Sequence, residues 1–278
     1  MNRSMNFHWS SSEKRWKDSF TFSFAILTIV QTVAEITGFY DLPFISSMAW
    51  WQKLLCILAI FCILTTLTFI VILVISLRGI SLSIGNNQVR IKQADIFKQD
   101  GLRLIPFNEY FDTEVDDITI AHNSLNGKFI DDHITDINLL KDVILNAPKV
   151  NGLNSNSVNG KKQFPLGRII KFKEYILLAF THFDENKSAY LSHTDYEKCL
   201  IQMWKEIDRV YANTPVFIPL LGSGITRFTD TPNKDNLSLI KCLLCTLKMS
   251  GVHIKQTITI CLTKKTMNDI NIYELKSK

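Results

Sequence analysis

The stretch Leu54–Leu77, LLCILAIFCILTTLTFIVILVISL, decides how the chain is divided. Its 24 residues carry no charge, and its polar members are limited to Thr, Ser and Cys. The hydrocarbon core of a bilayer is crossed by about 20 apolar residues, and a helix of this length runs roughly 36 Å at about 1.5 Å per residue. A buried helix in a soluble protein would normally keep one polar side over such a length. The stretch is therefore read as a membrane span, which leaves residues 79–278 to fold in water.

Upstream, residues 1–19 form a polar tail containing Arg3, Lys14, Arg15 and Lys17. They precede a second apolar stretch, Phe20–Tyr40, interrupted by Gln31 and Glu35. A signal peptide or an interfacial helix would also suit this composition, but a first span over residues 20–40 is preferred because another span follows closely. Gln31 and Glu35 lie four apart on one helical face and are expected to look at a neighbouring helix rather than lipid. The connection Asp41–Lys53 holds Pro43 and the pair Trp50–Trp51, suited to a membrane interface. Basic residues cluster before the first span and recur after the second at Arg78, Arg90 and Lys92, so the positive-inside rule puts both termini in the cytoplasm. The expected order is a tail over 1–19, a two-helix transmembrane hairpin over 20–78, and a cytosolic domain over 79–278.

That domain carries 25 Lys/Arg against 22 Asp/Glu. Such a mild excess argues against a nucleic-acid binder, which concentrates basic charge on one face. The six cysteines offer no disulfide framework: Cys56 and Cys62 lie in the span and four are scattered, which fits a reducing compartment. Cys242 and Cys245 lack a second pair or a nearby His and are expected to be core thiols.

After Arg78 the order of patterns is α/β. Residues 79–91 alternate on either side of a turn at Gly85–Asn87, which predicts a hairpin or two short strands. Leu102–Phe107, Tyr175–Thr181, Pro215–Leu221 and Thr257–Leu262 read as buried strands, and Ser192–Tyr211 and Asn236–Met249 as helices. Leu200, Met203, Trp204, Ile207 and Val210 form the apolar stripe of the first helix. Glu109–Asp117 reads as an acidic loop entering a short helix, Lys149–Gln163 as an exposed excursion, and Ile270–Leu275 as an edge strand or last turn. Near-continuous apolar strands imply a mostly parallel sheet covered on both faces, with ligands at the rim beyond the strand ends.

Three stretches on that rim can carry chemistry. In Leu221–Arg227, LGSGITR, the residues Gly222 and Gly224 let consecutive backbone N–H groups converge on phosphate oxygens, and Arg227 adds donors. It is neither a Walker loop nor a dinucleotide fingerprint, and an ordinary tight turn fits as well. In Gln93–Phe97, QADIF, Asp95 can accept from an exocyclic adenine amine beside the apolar Ile96 and Phe97, or it can simply cap a turn. Ala121–Phe129, AHNSLNGKF, is a polar loop able to close over a ribose–phosphate. The acidic run Asp112–Asp117 matches no calcium loop and reads as solvated surface. His182 and His193 have no nucleophile beside them, so neither a catalytic triad nor a metal site is expected.

Together these stretches resemble a macro domain, the three-layer α/β/α module that binds ADP-ribose, with a mixed central sheet. QADIF resembles that family's Gly-Asp-Ile element, with Ala94 in place of Gly and Asp95 at the adenine-contacting position. PFNEY, residues 106–110, resembles its Asn-Ala-Ala-Asn stretch, and LGSGITR its diphosphate-covering loop. The longer run IPFNEYFDTEVDD, NSLNGKFI and YILLAFTHFDENKSAYL is similar to the divergent macro domain of the ThsA effectors of bacterial Thoeris anti-phage systems. The resemblance implies a bacterial inner-membrane protein, multi-pass and homo-oligomeric in the lipid bilayer. It further implies that the domain senses an ADP-ribose derivative, expected to be ADP-ribose conjugated to histidine, made by a partner TIR-domain enzyme that consumes NAD. The ligand-binding set it implies is Asp95, Ile96, Asn108, Asn123, Ser124, Leu125, Gly127, Leu221, Gly222, Ser223, Gly224, Ile225, Thr226 and Arg227. The glycine-rich first loop of common macro domains is replaced by NSLNG. That weakens the reading as an enzyme removing ADP-ribose from protein or nucleic acid, and no cofactor or catalytic residue is expected. A membrane scaffold without a ligand is the remaining alternative.

Overall fold

The computed structural model describes residues 11–158, 160–184, 188–224, 226–230, 235–270 and 275. The chain divides into two compact units, Met1–Gly79 and Ile80–Lys278.

The first unit contains α1 (Ser11–Ile36), the single turn α2 (Pro43–Ser46) and α3 (Trp50–Arg78). Within them, Trp16–Ile36 and Trp50–Val74 are long and apolar enough to cross a membrane. Only 11% and 6% of their most apolar windows are buried, which is unlike the core helix of a soluble protein. The first of these segments ends before the expected Tyr40, because Gly38 takes a left-handed conformation (φ 68°) that stops the helix. Helices α1 and α3 meet along small polar residues. Ser19 and Ser23 are fully buried, and the Ser23 and Thr68 hydroxyls are 3.0 Å apart. Trp16 stacks on Phe69 at 4.4 Å between ring centroids, and Phe20 meets Phe61 edge-on at 5.0 Å. Small residues allow such close approach, and paired hydroxyls leave no polar group unmet. Gln31 and Glu35 do not face α3, so α3 is not the neighbouring helix expected for them. Both are exposed, about a quarter turn round the helix from the stripe of Ser19, Ser23, Leu27 and Ala34.

The second unit is built on a mixed sheet of nine strands among the described residues. Strands β1 (Ile80–Ile84) and β2 (Asn87–Gln93) form the expected antiparallel hairpin. Strand β3 (Leu102–Asn108) follows, then helices α4 (Leu125–His133) and α5 (Ile137–Leu145) and a small separate hairpin of β4 (Asn156–Val158) and β5 (Lys161–Gln163). Next come β6 (Ile169–Phe172), β7 (Tyr175–Phe183), β8 (Ala189–Leu191), α6 (His193–Val210), β9 (Val216–Pro219), β10 (Arg227–Phe228), α7 (Asn236–Ser250), β11 (Ile258–Leu262) and α8 (Lys264–Asp269). The sheet order is β1-β2-β11-β9-β3-β7-β8-β10, with β6 also pairing β7. From β2 to β7 every neighbour is parallel, so five carboxyl ends share one rim.

The alternation of side chains explains the layers. Leu104, Ile176 and Leu178 point into a core closed by α6 and α7. Their chain neighbours Ile105, Phe107, Leu177 and Ala179 point into a second core closed by α4 and α5. A strand apolar at every position can only be buried on both sides. The stripe of α6 behaves as expected for Leu200, Met203, Trp204 and Ile207, all buried. Helices α4 and α5 and strand β6 were not read from sequence, and the excursion at 149–163 carries the β4–β5 hairpin. Cys245 departs from its expected core position: it is exposed, 3.8 Å from the sulfur of Met249. Of Ile270–Leu275, expected as an edge strand or last turn, residues 271–274 lie outside the described residues.

A buried ion network ties β6 to α6. Arg168 donates to Glu206 at 2.6 Å and to the Pro148 carbonyl at 2.6 Å, and Arg209 donates to Glu206 at 2.7 and 2.9 Å. Burial opposes the charge on Glu206, but the donors from Arg209, Arg168 and the Ile169 N–H together hold its carboxyl below the usual range. Removing one partner strands the other in the interior. Glu206→Ala is expected to cost about 3–5 kcal/mol, read by denaturant unfolding of the solubilised chain. The double replacement Arg168→Met with Glu206→Leu should recover most of that loss.

Candidate functional site

The rim where the parallel strands end opens into a cleft of about 1350 Å³. That exceeds the roughly 300–1,000 Å³ of ordinary small-molecule sites. The strand order sets its long axis. Residues 93–98 after β2 line one end, Pro219–Arg227 after β9 the middle, and Thr181, Phe183 and Ala189 of β7 and β8 the other. The segment from Asp117 through Lys128 lies along it.

At the β2 end, Asp95 does cap a turn, its Oδ1 accepting from the Phe97 N–H at 3.0 Å. Its other oxygen is 3.9 Å from Lys98, and the side chain remains half exposed in the cleft. Capping and ligand recognition are thus compatible, because they use different oxygens. Ile96 is buried beside Phe217 and Cys261. The Phe97 ring stacks on His133 at 4.2 Å, making a flat aromatic pair on the wall. Burial pushes the Cys261 thiol up to about 12, so it supplies a wall rather than a nucleophile.

In the middle, Leu221, Gly222, Ser223, Gly224, Thr226 and Arg227 all line the cleft, while Ile225 lies outside the described residues. Gly222 has φ 81°, and an added Cβ would come within 3.0 Å of the Phe228 ring. Gly224 is different: a Cβ there would meet nothing within 4 Å. The Ser223 hydroxyl donates to the Leu220 carbonyl at 2.6 Å, closing the turn. The Gly222 and Gly224 N–H groups have no hydrogen-bond partner among the described residues, as an anion-cradling turn requires.

The NSLNG stretch is only partly a loop. Asn123 and Ser124 line the cleft, and Ser124 is the N-cap of α4, accepting from the Gly127 N–H at 2.9 Å. Leu125 follows on the wall. Gly127 is not a lining residue: a Cβ would sit 2.2 Å from the Ala121 carbonyl oxygen, so glycine lets α4 press against the chain before it. Asn126 was missed from sequence although it lies inside the same stretch. It lines the cleft, and its side-chain oxygen is buried without a hydrogen-bond partner among the described residues. Thr263 and Lys264, after β11, also line the cleft, and their place behind a predicted strand was the signal.

Asn108 reaches the cleft from the end of β3, but its amide mostly shapes the following loop. Its oxygen accepts from the N–H groups of Tyr110 and Asp112 at 3.0 and 3.2 Å, and its nitrogen donates to the Asp112 carboxylate at 3.0 Å. Asp112 also pairs with Lys161 at 3.1 Å, and no group of metal-ligating residues exists among those described.

Comparison with known proteins decides the family. The model of the Thoeris protein ThsA macro domain matches residues 89–263. The Thoeris protein ThsA of Bacillus amyloliquefaciens (strain Y2) is 35% identical over 266 residues, covering 90% of this chain and 86% of that protein. The chain belongs to the Thoeris ThsA family. Two solved structures of the Oceanobacillus iheyensis macrodomain, one with ADP and one a mutant, are 15% and 14% identical. They cover 71% of this chain and 94% and 95% of theirs, at TM-scores of 0.45 and 0.42. As a ThsA protein the chain is an anti-phage defence effector, and its second unit is the family's macro domain.

Beside the cleft, His182 Nδ1 donates to Glu109 at 2.8 Å, and Gln163 donates to the same oxygen at 2.8 Å. The hydrogen bond and charge of Glu109 raise the His182 pKa above 6.5 against the opposing effect of burial. Burial likewise opposes the charge on Glu109, but His182, Gln163 and the Phe183 N–H together bring its pKa below 4.5. This ThsA ion pair is complete between those two values. Its contribution fades as pH falls through the depressed Glu109 pKa, and again as pH rises through the raised His182 pKa. Proton NMR of the His182 ring should show an apparent pKa above 6.5 in the wild type and a lower one in Glu109→Gln.

Proposed function

We propose that the cleft receives an ADP-ribose derivative, specifically ADP-ribose conjugated to histidine, released by a partner TIR-domain enzyme that consumes NAD. Occupancy then drives the hairpin in the bacterial cell membrane, with both termini cytoplasmic, to disrupt the bilayer or arrest growth. The observation that carries the reading is that two donor-bearing turns line one cleft: the Gly222 and Gly224 N–H groups, without a partner among the described residues, and the N-terminus of α4. Both suit a diphosphate, since helix starts and glycine turns present N–H groups and positive potential to anions. Asp95 then lies at the adenine end, where its second oxygen can accept from the exocyclic amine. The unpartnered Asn126 oxygen supplies an acceptor for a ribose hydroxyl. A cleft larger than an ordinary ligand site leaves room for an appended group.

The reading as a sensor rather than an enzyme is supported by Asn108, whose amide is engaged in holding its own loop. Two helices enclose no conducting path, so the membrane response requires several chains in contact. Gln31 and Glu35, exposed on α1, are the polar groups available for such contact within the bilayer.

Calorimetry of the solubilised full chain with NAD, ADP-ribose and histidine-conjugated ADP-ribose tests the ligand. Binding strongest for the conjugate is expected, and flat titrations with folded protein overturn the reading. Asp95→Asn retains a capping oxygen and should weaken binding by about 1–3 kcal/mol, the range for a hydrogen bond to a charged group. Gly222→Val should lose both folding stability and binding. Gly224→Val has space for its side chain, so it should keep the melting temperature and lose affinity; unchanged affinity would remove this turn from the site.

A further inference from the structure

Strand β1 is an end strand of the sheet, paired on one side only, with β2. Its sequence, Ile80-Ser81-Leu82-Ser83-Ile84, reads the same in both directions. The two-residue turn Gly85–Asn86 makes Ile84 and Asn87 a hydrogen-bonded pair, as in hairpins of this type. Hydrogen-bonded and non-bonded pairs then alternate, so Ile80, Leu82 and Ile84 direct their backbone groups to β2. Ser81 and Ser83 direct their N–H and C=O groups outward. Neither residue's backbone has another partner among the described residues.

Edge strands that must stay single carry a lysine, a proline, a bulge or very short length. Strand β1 has none of these, whereas β6 holds Lys171 and β10 spans two residues. We infer that two copies of this chain pair through β1, antiparallel about a twofold axis at Leu82, joining their sheets into one. The palindrome makes the contact self-complementary. Each Ser81 faces Ser83 of the other copy and exchanges two backbone hydrogen bonds with it, while Leu82 meets its own counterpart. An isologous contact requires such a match. Ile80, Leu82 and Ile84 keep their packing on the core side, and the exposed serines meet across the seam, a favourable cross-strand pair.

A second copy is the occupant the chain itself favours over a foreign strand. The edge is uncharged, so no complementary partner is specified by charge. It also begins one residue after α3 ends, so copies held in one membrane by their apolar helices are confined together with this edge. Confinement of that kind raises effective concentration and allows a small contact to suffice. The inference does not depend on which nucleotide fills the cleft, since no β1 residue lines it.

The test uses the full chain in native-like vesicles and then in mild detergent. A double variant, Ser81→Cys with Ser83→Cys, should give an oxidised dimer on non-reducing gels, at least fivefold above wild type with its native cysteines. Ser83→Pro removes an outward N–H and leaves the β2 pairing intact; it should halve the assembly mass by light scattering while ADP-ribose titration is unchanged. Ser81→Lys, at an exposed position, serves the same purpose without a backbone change. Absence of the extra cross-link, or an unchanged mass in both single variants, overturns the inference.

Discussion

The constraint on which the second unit depends is the burial of β7 on both faces. Seven consecutive residues, Tyr175–Thr181, are buried, and alternate side chains enter separate cores. No single layer of helices can cover such a strand, so α4 and α5 must close one side while α6 and α7 close the other. Polar groups are then excluded from the middle of the sheet and collect where strands end. The parallel run from β2 to β7 puts five of those ends on one rim, and the cleft is what lies between the loops they release.

That logic was legible in the sequence wherever apolar runs were long. YILLAFT, PVFIPLL and TITICL carry the strand signal in every residue, and α6 shows its stripe across 18 residues. Helices α4 and α5 were not legible because each has only nine residues. Two turns give too few repeats to distinguish a stripe from a loop, and α4 carries Asn126 and Gly127 in its first turn. Ser124 and Asp136 were the available signals, since each caps the helix that follows. In the first unit, composition revealed two apolar helices, but not which face of α1 meets α3. Small size decided it, through Ser19 and Ser23, while the polar pair Gln31 and Glu35 lies on another face.

The candidate site shares its residues with the scaffold. Asp95 gives one oxygen to a turn, Asn108 gives three hydrogen bonds to a loop, Ser124 caps α4, and Gly127 permits the approach of Ala121. Such residues read ambiguously in sequence because both readings hold at once. The consequence is rigidity: groups that are already bonded do not reorganise when a ligand arrives. Gly224 and Asn126 are the exceptions, one with open space around it and the other with an acceptor unmet among the described residues.

The coupling we propose between the cleft and a membrane response is limited by arithmetic. Moving a two-state equilibrium from about 1:99 to 99:1 requires roughly 5.5 kcal/mol of differential binding. One rigid cleft would have to discriminate between the resting and active states by about 10⁴-fold. A seam that joins two chains shares this demand, because both clefts then act on one equilibrium and each need contribute only about half, or roughly 100-fold. A cleft with few free elements is ill suited to the larger figure and well suited to the smaller. The internal seam of the hairpin points the same way: Ser23 and Thr68 already satisfy each other, so α1 and α3 gain nothing by separating. On the reading we propose, a response to ligand is best carried between chains, where exposed faces of α1 and the open edge of β1 still have groups to pair.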